Sequence, residues 1–273
     1  MGTLDVAVVQ MEVCSGEVRK NCVRAEARIV EAARHGAQAI LLPELWTTGY
    51  NWPAMPGLAE GRDGETVRWL SQLAARCRVS LVAGSLAEAR DGQIYNTSYI
   101  ITPDGTLAGA YSKQHLFPLL DEPRYMAPGA DPAVVPTGQG RWGQLICFDI
   151  RFPEAARSLA VAGAEILWVP AEWPHPRLEH WRTLLRARAI EDQLFVVAAN
   201  RCGQGDGNTW CGHSQIIDPW GIILAEAEEA ETTLYATLHL DLIADVRARI
   251  PCFTVHAADP ARPGARAPVG APA

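Results

Sequence analysis

Hydrophobic runs of strand length alternate along this chain with amphipathic segments of helical length, and this alternation restricts its fold more than any other feature. Apolar runs indicate buried strands, and apolar positions at three- and four-residue spacing indicate helices. The clearest predicted elements are strands over 4–13, 37–45 and 142–150, and helices over 18–34, 65–77 and 178–193. Strands that alternate with helices favour layered α/β packing, with helices covering the faces of the sheets.

The length of the chain fits one large α/β domain followed by a tail. It has 273 residues, of which 48% are hydrophobic, enough to bury a substantial core. We assign residues 1–256 to this domain. Residues 257–273 are rich in alanine, proline and glycine and cannot form a core element, so we expect a mobile tail or an arm that is ordered against a partner subunit.

Charge, hydropathy and cysteine usage disfavour several classes of protein. The formal net charge of -7 argues against a nucleic-acid partner, which requires a basic surface. No apolar run approaches the ~20 residues of a membrane span, and the N-terminal residues do not resemble a signal peptide. Seven cysteines without a CxxC pair fit reduced thiols, so we expect a cytoplasmic protein.

An acidic residue follows the second predicted strand in the segment LPEL, residues 42–45. Polar side chains at the carboxyl end of a strand lie where α/β sheets usually carry their sites. The alternative for Glu44 is a solvated glutamate in a loop. Its position after a buried strand makes it a candidate for general acid–base chemistry.

A lysine stands in the segment YSKQHLF, residues 111–117, with Asp121 and Glu122 shortly after it. An ammonium group near carboxylates keeps its charge and can stabilise a developing oxyanion. We expect His115 in the same segment to be a packed or hydrogen-bonded side chain. Lys113 is therefore a candidate catalytic cation, the alternative being an ordinary surface lysine.

The third motif, LICFDIRFPE over 145–154, places Cys147 between a strand and a helix whose first turn is marked by Pro153. Helix N-termini and nearby cations lower the pKa of a thiol and make it nucleophilic. Asp149 and Arg151 are expected to pair with each other or with the backbone. We predict that Cys147 is a nucleophile with a lowered pKa, the alternative being a small buried core cysteine.

These three motifs, in this order, resemble those of the nitrilase or carbon–nitrogen hydrolase superfamily, over about residues 4–256. The resemblance includes HWRTLLRARAIEDQLFVVAANRCG and the GHSQIIDPWG hairpin. It implies a catalytic set of Glu44, Lys113 and Cys147, with Glu122 as a second glutamate beside the lysine. It also implies a four-layer α-β-β-α sandwich that pairs across its helices into an eight-layer homodimer.

Within the superfamily, the chain is most similar to the omega-amidase group, which hydrolyses side-chain amides of dicarboxylates such as 2-oxoglutaramate. KQHLF, DEPRYMAPG, CFDIRFPE and WPHPR carry this similarity. One residue departs from the pattern, because Glu172 stands before the WP pair, where many members have asparagine. An added acid there would disfavour an anionic substrate or require a compensating cation.

The resemblance implies hydrolysis of a small non-peptide amide through a thioester on Cys147, with release of ammonia. Lys113 and the backbone N–H of Phe148 would hold the oxyanion. Glu44 would transfer protons, and Glu122 would hold Lys113 in place. The scheme needs no metal and no organic cofactor, because the thiol supplies the covalent step.

A substrate carboxylate requires a cation, and Arg151, Arg177 and Arg201 all lie near predicted strand ends. We favour Arg177, in the WPHPR segment. Tyr50 and Trp173 are expected to line the same pocket, because both are aromatic and follow strand ends. These residues, with Phe148 and Glu172, form the predicted substrate-binding set.

Other interpretations remain open. The same chemistry could act on an N-carbamoyl amino acid or amine, or on deaminated glutathione, because a few pocket residues decide the substrate. A non-enzymatic binding module is disfavoured by the presence of all three catalytic residues. Residues 202–212 lack the Gly-Lys-Ser/Thr ending of a phosphate loop and are predicted to form a loop near the site. Cys202, Cys211 and His213 match no pattern of zinc ligands.

Overall fold

The structure is a computed structural model and describes residues 2–253. The strands of this part of the chain are β1 (Thr3–Gln10), β2 (Ala39–Leu41), β3 (Ser80–Val82), β4 (Leu86–Arg90), β5 (Gln93–Ile101), β6 (Leu107–Ser112), β7 (Val135–Thr137), β8 (Gly140–Gln144), β9 (Ile166–Ala171), β10 (Phe195–Asn200), β11 (Cys202–Gly205), β12 (Asn208–Cys211), β13 (Gln215–Ile217), β14 (Ile223–Glu226) and β15 (Thr232–His239). The predicted tail, 257–273, and the last residues of the predicted domain, 254–256, lie outside the described residues.

The α-helices are α1 (Val18–Arg34), α2 (Met55–Leu58), α3 (Glu65–Cys77), α4 (Glu122–Tyr125), α5 (Pro153–Val161), α6 (Leu178–Asp192) and α7 (Asp241–Arg249). Short 3-10 helices cover Pro118–Leu120, Cys147–Arg151 and His175–Arg177. Between residues 2 and 253, none of the helices has both the length and the hydrophobicity needed to cross a lipid bilayer.

Most strands belong to two mixed sheets. The first has the order β15-β1-β2-β3-β5-β4, with β6 also paired to β5, and the second has the order β14-β13-β10-β9-β8-β7. Strands β1, β2 and β3 run parallel to one another, and so do β8, β9 and β10. The carboxyl ends of each parallel set therefore lie at one edge of its sheet.

Side chains of β1 alternate between two hydrophobic cores, as the two-residue period of a strand requires. Val6 and Val8 pack between the two sheets with Trp168 of β9. Ala7 and Val9 face the other way and pack with apolar residues of α1 and α3. A third core joins α5 and α6 to β9 and β10. The succession of helix, sheet, sheet and helix is consistent with the expected sandwich.

Two predicted strands end earlier than the hydrophobic runs that suggested them. The run over 37–45 forms a strand only at Ala39–Leu41, and the run over 142–150 ends its strand at Gln144. Leu45 and Cys147 have φ angles of 39° and 48°, which a continuing strand cannot contain. Hydrophobicity reports burial, and these buried turns are as apolar as the strands before them.

The loop predicted for residues 202–212 is instead the hairpin of β11 and β12. Asp206 and Gly207 connect the strands, with φ angles of 54° and 73°. Two successive residues of positive φ make the tight turn that matches the twist of a hairpin.

Candidate active site

Five residues of the candidate site follow five different strands. Glu44 follows β2, Lys113 directly follows β6, and Cys147 begins the 3-10 helix after β8. Glu172 and Arg201 directly follow β9 and β10. Because β8, β9 and β10 are parallel neighbours, their carboxyl ends bring residues that are distant in sequence to one edge.

Lys113 is fully buried between two carboxyl groups. Its Nζ lies 2.8 Å from Glu44 Oε1 and 2.8 Å from Glu122 Oε2. Burial opposes the charged form, but the charges of Glu122 and Glu44 outweigh it and raise the pKa of Lys113 well above its usual value. The lysine therefore stays an ammonium ion over the physiological pH range.

Asn96, in the interior of β5, connects the two carboxyl groups. Its Nδ2 donates to Glu44 Oε1 at 2.8 Å and to Glu122 Oε1 at 3.0 Å. The backbone carbonyl oxygen of Asn96 accepts the backbone N–H of Lys113 at 2.8 Å. The sequence analysis did not identify this residue, although an asparagine in a buried strand is a signal that a polar partner is near.

Glu122 is the first residue of α4 and is also fully buried. Its Oε2 accepts the backbone N–H of Phe117 at 2.7 Å in addition to the Lys113 ammonium. Burial raises the pKa of Glu122, and the charge of Lys113 acts against this rise. Glu122 is thus placed to hold the ammonium group on the side away from Glu44.

Cys147 lies in a strained backbone conformation, with φ of 48°, and only 3% of it is exposed. Its thiol donates to the carbonyl oxygen of Glu172, with 3.8 Å between Sγ and O. Burial and the charge of Glu44 raise the pKa of Cys147 well above its usual value, although Lys113 opposes this. The predicted lowering of the pKa is therefore wrong, and the resting group is a neutral thiol.

Asp149 ties the turn that carries Cys147 to the segment that carries Lys113. Its Oδ1 accepts the N–H of His115 at 2.8 Å and contacts His115 Nδ1 at 2.9 Å. Its Oδ2 accepts the Tyr111 hydroxyl at 2.8 Å and the Ile146 N–H at 3.0 Å. Of the two arrangements expected for Asp149, the backbone contacts are found and the pair with Arg151 is not.

The turn that carries Glu44 depends on a glycine that comes very close to it. The backbone N–H of Leu45 donates to Ser85 Oγ at 2.9 Å. Gly84 has φ of 62°, and a Cβ there would lie 2.0 Å from the carbonyl oxygen of Pro43. Any side chain at Gly84 would push this turn, and with it Glu44, out of place.

A small cavity opens beside the thiol. Its walls are formed by aromatic, cationic and apolar residues, namely Phe117, Cys147, Phe148, Arg151, Trp173, Pro174 and Arg177. Three predicted substrate-binding residues, Phe148, Trp173 and Arg177, are among them. Tyr50 and Glu172 are buried outside these walls.

Two guanidinium groups face this cavity. Arg151 lies 4.6 Å from the centre of the Trp173 ring, and Arg177 lies 5.2 Å from the centre of the Phe117 ring. Burial lowers the pKa of Arg151, and the like charge of Arg177 lowers it further. The mutual repulsion of the two cations makes the cavity attractive to a small anion.

Arg201 is not available to a substrate. It is fully buried, and its Nη1 lies 2.9 Å from Glu172 Oε2 and 2.7 Å from Asp206 Oδ2. This removes Arg201 from the three arginines considered from the sequence. It also identifies the cation that compensates the unusual acid at Glu172.

No group of three or more histidine, cysteine or carboxylate side chains that could hold a metal ion is present in residues 2–253. Cys202 and Cys211 are opposite each other in the hairpin, and Cys211 Sγ lies 3.2 Å from Asn200 Nδ2. The site consists of a thiol that lines the cavity and, buried behind the cavity walls, an ammonium group and a carboxylate that act on it electrostatically. Such a set can carry out acyl transfer by nucleophilic attack without other groups.

Known proteins are similar to this chain in both sequence and fold. The carbon–nitrogen hydrolase family model matches residues 5–248. The 2-oxoglutaramate amidase of Bacillus subtilis is 41% identical over 91% of this chain and 95% of its own length. The omega-amidase NIT2 of Homo sapiens is 34% identical, over 93% of this chain and 95% of its own length.

A solved structure extends the likeness to three dimensions. The carbon-nitrogen hydrolase from Helicobacter pylori G27 superimposes with a TM-score of 0.88 at 28% identity, covering 92% of this chain and 94% of that one. The family match spans far more than half of the chain and includes all the residues around the cavity. The chain therefore belongs to the carbon–nitrogen hydrolase family and is an amidase that acts on non-peptide carbon–nitrogen bonds.

Proposed function

We propose that this protein is an omega-amidase, which hydrolyses the terminal amide of a small dicarboxylate monoamide, such as 2-oxoglutaramate, to a carboxylate and ammonia. The observation that carries the proposal is the cavity that the Cys147 thiol shares with Arg151 and Arg177, neither of which is paired with a carboxylate in the described residues. The names of the Bacillus and human relatives support the same substrate class.

In the proposed mechanism, Cys147 is the nucleophile and Glu44 is the base. Glu44 takes the thiol proton as the sulfur attacks the amide carbon, and the Lys113 ammonium stabilises the oxyanion together with the Phe148 N–H. The carbon–nitrogen bond then breaks, and Glu44 returns the proton to the departing ammonia. Glu44 next takes a proton from water, which attacks the thioester carbon. The carbon–sulfur bond then breaks, the product leaves as a carboxylate with its proton lost to solvent, and Glu44 returns its proton to the sulfur.

The raised pKa of Cys147 supports this order of events. A neutral resting thiol requires a base at the moment of attack, and Glu44 is the carboxylate whose charge acts most strongly on the thiol. Glu122 also holds the Lys113 ammonium, at 2.8 Å. This second carboxyl group keeps the ammonium in place while Glu44 gains and loses its proton.

We assign the substrate carboxylate to Arg151 and Arg177. Both line the cavity, whereas the third candidate, Arg201, is occupied by Glu172 and Asp206. Planar guanidinium groups suit the two oxygens of a carboxylate. The aromatic rings of Phe148 and Trp173 would cover the apolar part of a short chain between carboxylate and amide.

The arginine assignment predicts a selective loss of substrate binding. For 2-oxoglutaramate, we expect Arg177→Ala and Arg151→Ala to raise KM by about tenfold or more, because a charge-assisted hydrogen bond contributes about 1.5–3 kcal/mol. An uncharged amide such as butyramide should show little change. Steady-state ammonia release from both amides measures the difference, with Arg34→Ala, exposed in the last turn of α1, as the control.

The same assay separates the alternative substrates. N-carbamoyl amino acids and deaminated glutathione also carry carboxylates, so the arginines alone do not distinguish them. The wild-type protein should have its highest kcat/KM for 2-oxoglutaramate within this panel. A higher value for a carbamoyl compound, with carbon dioxide among the products, would replace the proposed substrate.

We further propose a homodimer that packs the outer faces of α5 and α6 together. Val161 on α5 and Ile190 on α6 are 43% and 49% exposed, and Ile222, beside Gly221, is 58% exposed. Such apolar patches usually mark interfaces. We expect twice the monomer mass in light scattering, and we expect Ile190→Glu to shift it to the monomer. Val23→Glu, on α1 in the opposite layer, should leave the mass unchanged.

A cytoplasmic location completes the proposal. All seven cysteines are free in the structure, including the exposed Cys252. Free thiols persist where the surroundings are reducing. The proposed thiol chemistry depends on this, because an oxidised Cys147 could not attack an amide.

A further inference from the structure

Glu172 contacts both reactive groups through its backbone. Its N–H donates to Glu44 Oε2 at 2.7 Å, and its carbonyl oxygen accepts the thiol of Cys147, 3.8 Å from Sγ. Neither contact uses the Glu172 side chain. The location of this one residue therefore influences where both the proposed base and the proposed nucleophile lie.

Arg201 holds the Glu172 side chain. Besides Glu172 and Asp206, the guanidinium contacts the carbonyl oxygen of Val13 through Nη2 at 2.8 Å. A Cβ on Gly205 would lie 2.1 Å from the same Nη2, so the hairpin closes tightly over the guanidinium. A fully buried side chain with three such contacts has little freedom to move, and Glu172 is held with it.

Immediately around Lys113 and Arg201, carboxyl groups outnumber cations. Each of the two buried cations faces two carboxyl groups: Lys113 faces Glu44 and Glu122, and Arg201 faces Glu172 and Asp206. The hydrogen bond from the Glu172 N–H to Glu44 joins these two sets. With every carboxyl group ionised, a buried region that must also accept an oxyanion would already carry excess negative charge.

The Glu172 carboxyl group is the one best suited to hold a proton. Its Oε1 is buried without a hydrogen-bond partner in the described part of the chain. Burial raises the pKa of Glu172 to about 8, with Glu44 and Asp206 raising it and Arg201 opposing. The phenol of Tyr50 also lies within electrostatic range of Glu172. At neutral pH the group is therefore mostly uncharged.

We propose that Glu172, held by Arg201, is a positioning residue that must carry a proton during turnover. In this state its backbone holds Glu44 and Cys147 in place without adding a negative charge beside the developing oxyanion. Loss of the proton, which goes to solvent above neutral pH, adds that charge and slows the attack. This inference rests on the proposed thiol mechanism and explains why an acid is tolerated at Glu172.

The first test is the pH dependence of kcat/KM. A single ionisation near 8 lowers the active fraction about tenfold at pH 9, so the wild-type enzyme should decline on the alkaline side. Glu172→Gln imitates the protonated acid, so its kcat/KM at pH 9 should match its own value at pH 7, without this decline. An unchanged decline in Glu172→Gln, or a folded variant that is inactive at every pH, would overturn the proposal.

A second variant should move the alkaline decline of kcat/KM to lower pH, whereas Glu172→Gln should remove it. Asp206→Asn removes a negative charge but keeps an acceptor for Arg201, so Glu172 should ionise more readily and the decline should move about one unit to lower pH. A residue with only a structural role would not produce opposite shifts in two variants. No shift, or a shift to higher pH, would contradict the proposal even if Glu172→Gln failed to fold.

Asp192→Asn is the matched control. Asp192 is also buried, its pKa is raised to about 7 by burial, and Arg157 lies 3.0 Å away, but it is at the end of α6. Its replacement should leave the alkaline decline where it is. A shift as large as that of Glu172→Gln would mean that loss of any buried acid has this effect, and would overturn the proposal.

Alkylation of Cys147 by iodoacetamide tests the inference without a substrate. Above pH 8, Glu172→Gln should be alkylated about tenfold faster than the wild-type protein, because no negative charge opposes the thiolate. The two rates should converge at pH 7. Failure of the proposed substrate assignment would leave this difference intact, whereas equal rates above pH 8 would overturn the role of Glu172 alone.

Discussion

Replacing Cys147 with alanine is expected to abolish amide hydrolysis, with a loss on the order of 10⁶-fold in kcat, the scale seen when a catalytic nucleophile is removed. Lys113 and Glu44 would remain, but neither can form the carbon–sulfur bond of the proposed thioester. The fold should survive, because alanine fills most of the space of the cysteine and the thiol is lost only as a weak donor to Glu172 and Glu44. Ammonia release measures the loss. Mass spectrometry of wild-type protein quenched during turnover should show an acyl group on Cys147.

Cys77→Ala is the appropriate control for this experiment. Cys77 is half-buried at the end of α3, outside the cavity, and its loss should change kcat by less than about twofold. The variant tests whether any loss of a thiol disturbs the protein. Ammonia release at the wild-type rate by Cys147→Ala would mean that the nucleophile lies elsewhere, and the proposed mechanism would be abandoned.

Replacement of Lys113 with methionine should affect both activity and folding. Loss of one oxyanion donor typically costs about 10²–10³ in kcat. The change also leaves Glu44 and Glu122 buried without their cation, and removal of one partner from a buried ion pair costs about 3–5 kcal/mol of stability. Steady-state kinetics at saturating substrate and urea unfolding measure the two effects.

The chain offers a matched control, because it contains only one other lysine, Lys20. Lys20 lies exposed on α1, and Lys20→Met should change neither kcat nor the urea midpoint by a measurable amount. If folded Lys113→Met kept the wild-type kcat, the ammonium would have no part in stabilising the oxyanion. A stability loss without a kinetic loss would assign Lys113 a structural role only.

The sequence was sufficient to identify the residues at the strand ends. Glu44, Lys113 and Cys147 each follow a hydrophobic run, and a run of that kind predicts a strand whatever lies beside it in the fold. The structure brings Lys113 within 2.8 Å of Glu44 and places Glu44 within electrostatic range of Cys147, but of the three only Cys147 lines the cavity. Their order along the chain and the motifs around them were enough to suggest the family, which the comparison with known proteins confirms.

The pKa of Cys147 could not be predicted in the same way. The local pattern contained a helix N-terminus and a lysine, both of which lower the pKa of a thiol. The opposite direction results from burial and from Glu44, which lies far away in sequence. Burial is produced by packing of the whole domain, so no local motif predicts how completely a side chain is shielded from solvent.

The role of Arg201 is another property that no local pattern contained. Arg151, Arg177 and Arg201 look equivalent in sequence, since each stands near a strand end. The structure separates them, because two line the cavity and Arg201 is enclosed with Glu172 and Asp206. Asn96 escaped notice for a similar reason, as both of its carboxylate partners come from other parts of the chain.

By itself, the sequence determined the alternation of strands and helices, the position of each reactive side chain at a strand end, and the family to which the chain belongs. These properties depend on short-range periodicity and on motifs. Only the tertiary structure decided which arginines line the cavity, which carboxyl group pairs with which cation, and in which direction the pKa of the thiol is shifted. Those properties depend on distances between strand ends and on the loss of water around them, and both arise only when the two sheets pack together.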